Sequence, residues 1–268
     1  MNFSAKLGTP KKWWDSRAFR AFALGLGCSF LFFLPYIIFD QGYFLFYGDF
    51  NVQQIPFYQM IHDAIRSGNI GWSWTTDLGA NLIGSYTFYN LGSPFFWVTL
   101  LFPSRAVPYL MGPQLMLKFA FSALAGYVYL RRYVKNQDNA VLGGLLYAFS
   151  GFAVYNIFFN HFHEAIIIFP LLIAALDEYM ETGRRGLFAL AVFASCLMNY
   201  YFFAGQVIFC FIYWIIRVST GSWKNVTLRR FGWLAFESVI GVAMTAVLLA
   251  PTVLAVLQNN RVNSPTYG

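Results

Sequence analysis

The sequence predicts an all-α, polytopic membrane protein of about seven transmembrane helices, with a long first extracytoplasmic loop carrying interfacial helices. Three observations predict it. The 268 residues are 58% hydrophobic and only 11% charged, whereas a soluble domain carries about a quarter charged residues to cover its surface. The apolar residues come in runs of roughly 17–25, the length that crosses a hydrocarbon core. The basic residues gather in short clusters between those runs, as the positive-inside rule asks of cytoplasmic loops. The net charge of +7 therefore speaks for topology and not for a nucleic-acid partner.

Taken in order, residues 1–17 are basic (Lys6, Lys11, Lys12, Arg17) and are expected in the cytoplasm. Residues 18–39 form the first span, longer than a signal-peptide core and followed by no small-residue cleavage site. Six further spans within 113–257 are expected at 113–133, 139–158, 165–180, 185–201, 203–218 and 231–257. With the N-terminus inside, Arg131/Arg132/Lys135, Arg184/Arg185 and Arg217/Lys224/Arg229/Arg230 all face the cytoplasm, and 14 of the 18 Lys and Arg lie on that side. A full span at 86–102 would invert every later loop, so 94–102 reads as a half-span or interfacial segment. Residues 40–112 are then extracytoplasmic. Within them Gln54–Arg66 has helical spacing, with Phe57, Ile61 and Ile65 on one face, Pro56 in the first turn and Gly68 beyond the end. Such a helix is expected to lie in the interface plane. Trp72, Trp74, Phe88, Tyr89, Phe95, Phe96 and Trp97 follow as an aromatic belt. Residues 258–268 read as the start of a truncated outer segment.

Sorted by side, the polar residues gather on the outer face. Asp49 lies about ten residues past the first span, just ahead of the short helix. It is the candidate base, against the ordinary role of a loop aspartate as a turn former; Asp40 is its rival. Arg105 and Lys118 are candidate phosphate contacts. Lys118 sits near the outer end of its span, where snorkelling to the headgroups is the alternative. Asn160, His161, His163 and Glu164 share one short connection between the third and fourth spans, and Tyr200 reaches the same face with Asn199 and Tyr201. The two histidines are two apart and face different ways on a helix, which suits hydrogen bonding or phosphate contact better than a shared metal. No cofactor is identified; a divalent metal stays open with no motif behind it. Asp177, Glu178 and Glu181 read as a solvated inner rim beside Arg184/Arg185, and Glu237 as interfacial. Cys28, Cys196 and Cys210 lie in apolar segments and read as small hydrophobes. Walker, dinucleotide, zincin and nucleophile-elbow motifs are absent. An outer-face enzyme has no nucleotide supply, so its donor would be lipid-linked.

Five segments carry a resemblance. They are Tyr47-Gly48-Asp49-Phe50-Asn51-Val52-Gln53-Gln54-Ile55-Pro56-Phe57-Tyr58, Ser93-Pro94-Phe95, Leu145-Leu146-Tyr147-Ala148-Phe149-Ser150-Gly151, Phe169-Pro170-Leu171-Leu172 and Asn199-Tyr200-Tyr201-Phe202. In that order the chain resembles the bacterial YfhO membrane protein family, whose members look like GT-C glycosyltransferases. The resemblance implies a multi-pass protein of the bacterial cell membrane. It implies transfer of a sugar from a polyprenyl-phosphate carrier to a cell-envelope polymer, teichoic-acid-like, on the outer face. Asp49 matches the acidic residue of the first outer loop that acts as base or orients the acceptor. Arg105, Lys118, His161 and His163 would steady the departing phosphate, and phenylalanines would line a groove for the lipid tail. Family members are much longer, so the chain would be an N-terminal portion. The competing class is a transporter or flippase of a lipid-linked precursor, disfavoured by span interiors nearly free of charge; a scaffold in envelope assembly is the third. Membrane lipids are expected partners in all three.

Overall fold

The computed structural model describes residues 16–76 and 79–258; most of the expected cytoplasmic segment 1–17 and nearly all of 258–268 lie outside them. The described residues are helical almost throughout. The long helices are α1 (Arg17–Phe39), α5 (Val107–Leu130), α6 (Gln137–Ala148), α8 (Phe162–Thr182), α9 (Leu187–Met198), α10 (Tyr200–Ser219), α11 (Leu228–Met244) and α12 (Ala246–Leu257). The stretch between α1 and α5 carries α2 (Ile55–Ser67), α3 (Leu82–Tyr86) and α4 (Pro94–Thr99), with a two-residue hairpin pairing Trp72–Ser73 to Ala80–Asn81. The short α7 (Gly151–Tyr155) continues α6.

Helix α5 is the centre of the bundle: α1, α6 and α8 pack on it, α9 packs on α8, and α11 on α9. Small residues set the spacing. A β-carbon on Gly25 would stand 2.8 Å from Ala123 Cβ, and one on Gly144 would stand 2.5 Å from the Ala123 carbonyl. Both α1 and α6 therefore close directly onto the α5 backbone, the contact that apolar helices in lipid rely on.

Three described segments are long and apolar enough to cross a membrane: α1, the run from α6 through Phe158, and α10. A fourth counts if α11 and α12 are one span, but they meet at a 74° bend. The straight span expected over 231–257 is thus a bent pair, and α12 turns aside to pack on α3. Thr245 sits in the joint and its hydroxyl donates to the Val242 carbonyl at 2.7 Å. The expected span 185–201 is the twelve-residue α9, about 18 Å of helix against a ~30 Å core. It ends at Asn199, whose extended backbone (φ −160°) both stops α9 and starts α10. Helices α5 and α8 have the length of a span, with 24 and 21 residues, but α5 carries Lys118 and α8 carries Glu164, Asp177, Glu178 and Glu181.

Pro170 interrupts α8 and leaves the Ile166 carbonyl without its helical donor. Tyr147 of α6 supplies one, its hydroxyl donating to that carbonyl at 2.7 Å. In the α1–α5 stretch, α2 forms as its sequence signals: Pro56 lies in the first turn and Gly68 closes the helix at φ 76°. Its buried face (Tyr58, Ile61, His62) rests on protein, so one side of the expected interfacial helix is spent on the bundle. The segment at 94–102 is not a span; α4 has six residues.

Candidate functional site

Asp49 opens a single π-helical turn, Phe50–Gln54. Asn51 fixes the approach to it, accepting from the Phe46 amide at 3.0 Å and donating back to the Phe46 carbonyl at 2.8 Å. Phe50 is fully buried and anchors the turn. The Asp49 carboxylate stays half-exposed, with one oxygen accepting from Gln53 Nε2 at 3.1 Å. At the far end of the same turn Gln54 is buried, and its Oε1 meets His161 Nδ1 at 3.0 Å. One helical turn thus joins the half-exposed carboxylate to the buried histidine.

The His161 ring sits in a box of aromatic rings, with centroids of Phe88 at 4.6 Å and Tyr89 at 5.0 Å. Tyr200 lies beyond, its ring tilted against Phe88 at 5.3 Å. Burial, and then the negative charge of Asp49, raise the Tyr89 hydroxyl above its ordinary range, so Asp49 and His161 flank the same ring. Burial, reinforced by the Lys118 ammonium, pushes His161 down to about 3. That imidazole is neutral near pH 7, available for hydrogen bonding and not for charge.

Below the box lies a buried ion pair. Lys118 Nζ is 2.8 Å from Glu164 Oε1, with side chains 0% and 1% exposed. Nζ also donates to the Asn160 carbonyl and to Asn160 Oδ1, both at 2.9 Å. An ammonium has three donors, and all three are used. Lys118 therefore has no donor left for the phosphate contact expected of it, and it stands near the middle of α5 instead of at the outer end, so it does not snorkel to headgroups either. Glu164 accepts a further hydrogen bond from Ser93, the N-cap of α4. Tyr58 of α2 is fully buried beside the group; burial first and the Glu164 charge second raise its hydroxyl. Asn199 Nδ2 donates to the His161 carbonyl at 3.2 Å while Asn199 Oδ1 caps α10 through the Phe202 amide. Seven buried atoms of these residues have no hydrogen-bond partner: Gln54 Nε2, Tyr58 Oη, Asn160 Nδ2, His161 Nε2, both ring nitrogens of His163, and Glu164 Oε2.

The structure thus brings Asp49, Asn160, His161, His163, Glu164, Lys118 and Tyr200 into one neighbourhood. Asp40 stays apart as the cap of α1, accepting from the Leu45 amide at 3.1 Å. Arg105 is exposed at the start of α5 with no ion pair among the described residues. Lys118 lies within the expected span 113–133, and its partner Glu164 stands in the first turn of α8. The inner rim is likewise not all solvated: Asp177 is fully buried, bonded by the hydroxyls of Tyr133 and Tyr213. Glu237 is buried and caps α9 from another helix, accepting from the Gly186 and Ala189 amides at 3.0 and 3.1 Å. Gln54, Tyr58 and Ser93 were not singled out by sequence. They are ordinary polar residues within apolar stretches, which is itself the signal that could have found them. Among the described residues no group of three or more His, Cys, Asp or Glu is placed to hold a metal ion.

A family model described as bacterial membrane protein YfhO matches residues 21–267. The chain is also similar to the uncharacterized protein YfhO of Bacillus subtilis (strain 168), at 26% identity over 237 residues. That match covers 80% of this chain and 27% of the relative, so the chain spans about a quarter of the length of the curated relative it matches. No solved structure matches.

Proposed function

Because the chain belongs to the bacterial YfhO membrane protein family, we propose that it carries the acidic loop of a GT-C-type glycosyltransferase. The enzyme moves a sugar from a polyprenyl-phosphate carrier to a teichoic-acid-like envelope polymer. In this reading α5, α8 and α9 join the more apolar segments to make seven spans. The arginine-rich loops face the cytoplasm, and the Asp49 end faces out. The observation that carries the proposal is the π-turn, which holds a half-exposed carboxylate at one end and meets the His161 box at the other. Asp49 takes the proton of the acceptor hydroxyl as that oxygen attacks the anomeric carbon, and the carrier leaves as its phosphate. Phe88, Tyr89 and Tyr200 offer ring faces to a sugar. The neutral His161, with Nε2 unpartnered, offers a hydrogen bond. Since Lys118 is saturated, Arg105 is the exposed cation left to meet the phosphate. A groove of about 430 Å³ lined by Tyr147, Ile166, Phe169, Phe202, Gln206 and Phe209 begins next to Glu164 and suits the lipid tail.

Asp49→Asn in the full-length protein should lower sugar transfer at least a hundred-fold, the scale of a lost general base, with membrane insertion unchanged. The readout is the sugar content of the envelope polymers. Full activity would move the role to Asp40. A second reading, a transporter or flippase of a lipid-linked precursor, draws on two features: the buried pair that ties mid-α5 to the first turn of α8, and the α11–α12 break. Under that reading Asp49→Asn is mild, and loss of the Lys118–Glu164 pair stops lipid movement.

A further inference from the structure

At the other side of the bundle α10 is thinly packed: of its twenty residues only Gln206 is buried. Between α10 and α11 runs a groove of about 700 Å³. Its walls are carbon, from Leu172 and Val192 behind to Val207, Phe211, Leu234 and Val239 at the sides. On α10 it extends from Phe203 to Trp214, about 16 Å of helix, which is half the thickness of a ~30 Å hydrocarbon core. That is the reach of one acyl chain within one leaflet.

The basic end of the groove has a different chemistry. Trp214 lines the groove there, and its Nε1 is buried without a hydrogen-bond acceptor, as are Trp223 Nε1 and Arg217 Nε, which lie outside the lining. Trp223 is only 4% exposed, and the Arg217 guanidinium lies 5.3 Å from its ring. All three groups are donors and none can accept. A buried donor left unpaired is costly, so the fitting occupant brings oxygen acceptors. Asp177 and Glu181 stand 3.7 and 3.8 Å from Arg217 Nη2, and they take part of its charge. Lys224 in the following loop and Arg229 in the first turn of α11 are exposed with no ion pair among the described residues. With Arg217 and Arg230 they outnumber the two carboxylates, and the net local charge is positive.

We infer that this groove holds one acyl chain of an anionic glycerophospholipid from the leaflet at the basic end. The ester and phosphate oxygens accept from Trp214, Trp223 and Arg217, and Lys224 and Arg229 answer the headgroup charge. The site is independent of Asp49 and lies on the opposite flank of α10 from the groove beside Glu164.

The test uses full-length protein purified in detergent and offered equal amounts of phosphatidylglycerol and phosphatidylcholine, with bound lipid read by native mass spectrometry. One phosphatidylglycerol should be retained per protein, and phosphatidylcholine should wash away. Trp214→Phe combined with Trp223→Phe removes two N–H groups and keeps the apolar wall; retention should fall about ten-fold or more. Ala235→Trp, which fills the groove, should abolish it. No retained lipid, equal retention of phosphatidylcholine, or undiminished retention in the double Phe variant would each overturn the inference. The double variant carries the test if Ala235→Trp does not fold.

Discussion

The two ends of the bundle both hold paired charges, but they hold them differently. At the Asp49 end Lys118 and Glu164 are sealed, with three acceptors for three ammonium donors and exposures of 0% and 1%. At the basic end Arg132 reaches Glu178 and Glu181 at 3.1 and 2.7 Å, with side chains 23%, 27% and 42% exposed. Asp177 and Glu237 are buried there, the first satisfied by tyrosine hydroxyls and the second by the Gly186 and Ala189 amides. A sealed pair gains from a low local dielectric but cannot lose one member without stranding the other charge. A wet network can lose a member and rehydrate. The difference teaches where this molecule is brittle.

The largest expected effect follows directly. Lys118→Met or Glu164→Gln should each destabilise the purified protein by about 3–5 kcal/mol, measured by thermal unfolding in detergent. The double change Lys118→Met/Glu164→Met should cost less than either single change. If the singles were mild, the pair would be hydrated and the contrast between the ends would be gone.

Acid should find the same end first. Unfolded histidine titrates near 6.5, whereas His161 is held to about 3. Between those values the unfolded chain binds more protons, so its contribution is complete above pH 6.5 and is lost as pH falls toward 3. That histidine changes stability by about 1.4 kcal/mol per pH unit in that window. Replacing His161 with Gln should flatten the acid side of the stability–pH curve; an unchanged slope would mean the ring is already charged or wet.

Smaller again is Gln54→Ala, which cuts the link from the π-turn to His161 at a cost of about 1–2 kcal/mol. It should also reduce transfer more than stability, if Asp49 depends on that turn for its aim. Smallest is Glu181→Gln at the wet end, within about 0–1 kcal/mol and shrinking further in salt. A large effect there would show the basic end to be sealed as well.

Much of this was legible in the chain. The short helix after Asp49 announces itself through Pro56, Gly68 and the Phe57/Ile61/Ile65 spacing, and the Asn160–Glu164 grouping is visible as a polar island between apolar runs. What sequence could not show is partnership over distance. Lys118 and Asn160 are 42 residues apart, and nothing in either neighbourhood names the other. Asp177 was read with its sequence neighbours Arg184 and Arg185, yet its hydrogen bonds come from Tyr133 and Tyr213 on other elements. The joint at Thr245 escaped because the apolar run continues through it. Hydropathy measures solvent preference and is blind to a 74° change of direction.

Pro170 has a mechanical meaning. Helix α8 carries Glu164 in its first turn and Asp177 thirteen residues later, about 20 Å along the same rod. The missing rung at Pro170 lies between them, and a helix bends most cheaply where a rung is missing. Tyr147 bridges the gap from α6, tying the upper segment of α8 to its neighbour as a strap ties a jointed strut. The two buried carboxylates of α8 are thus separated by the one place in the rod where a bend costs least.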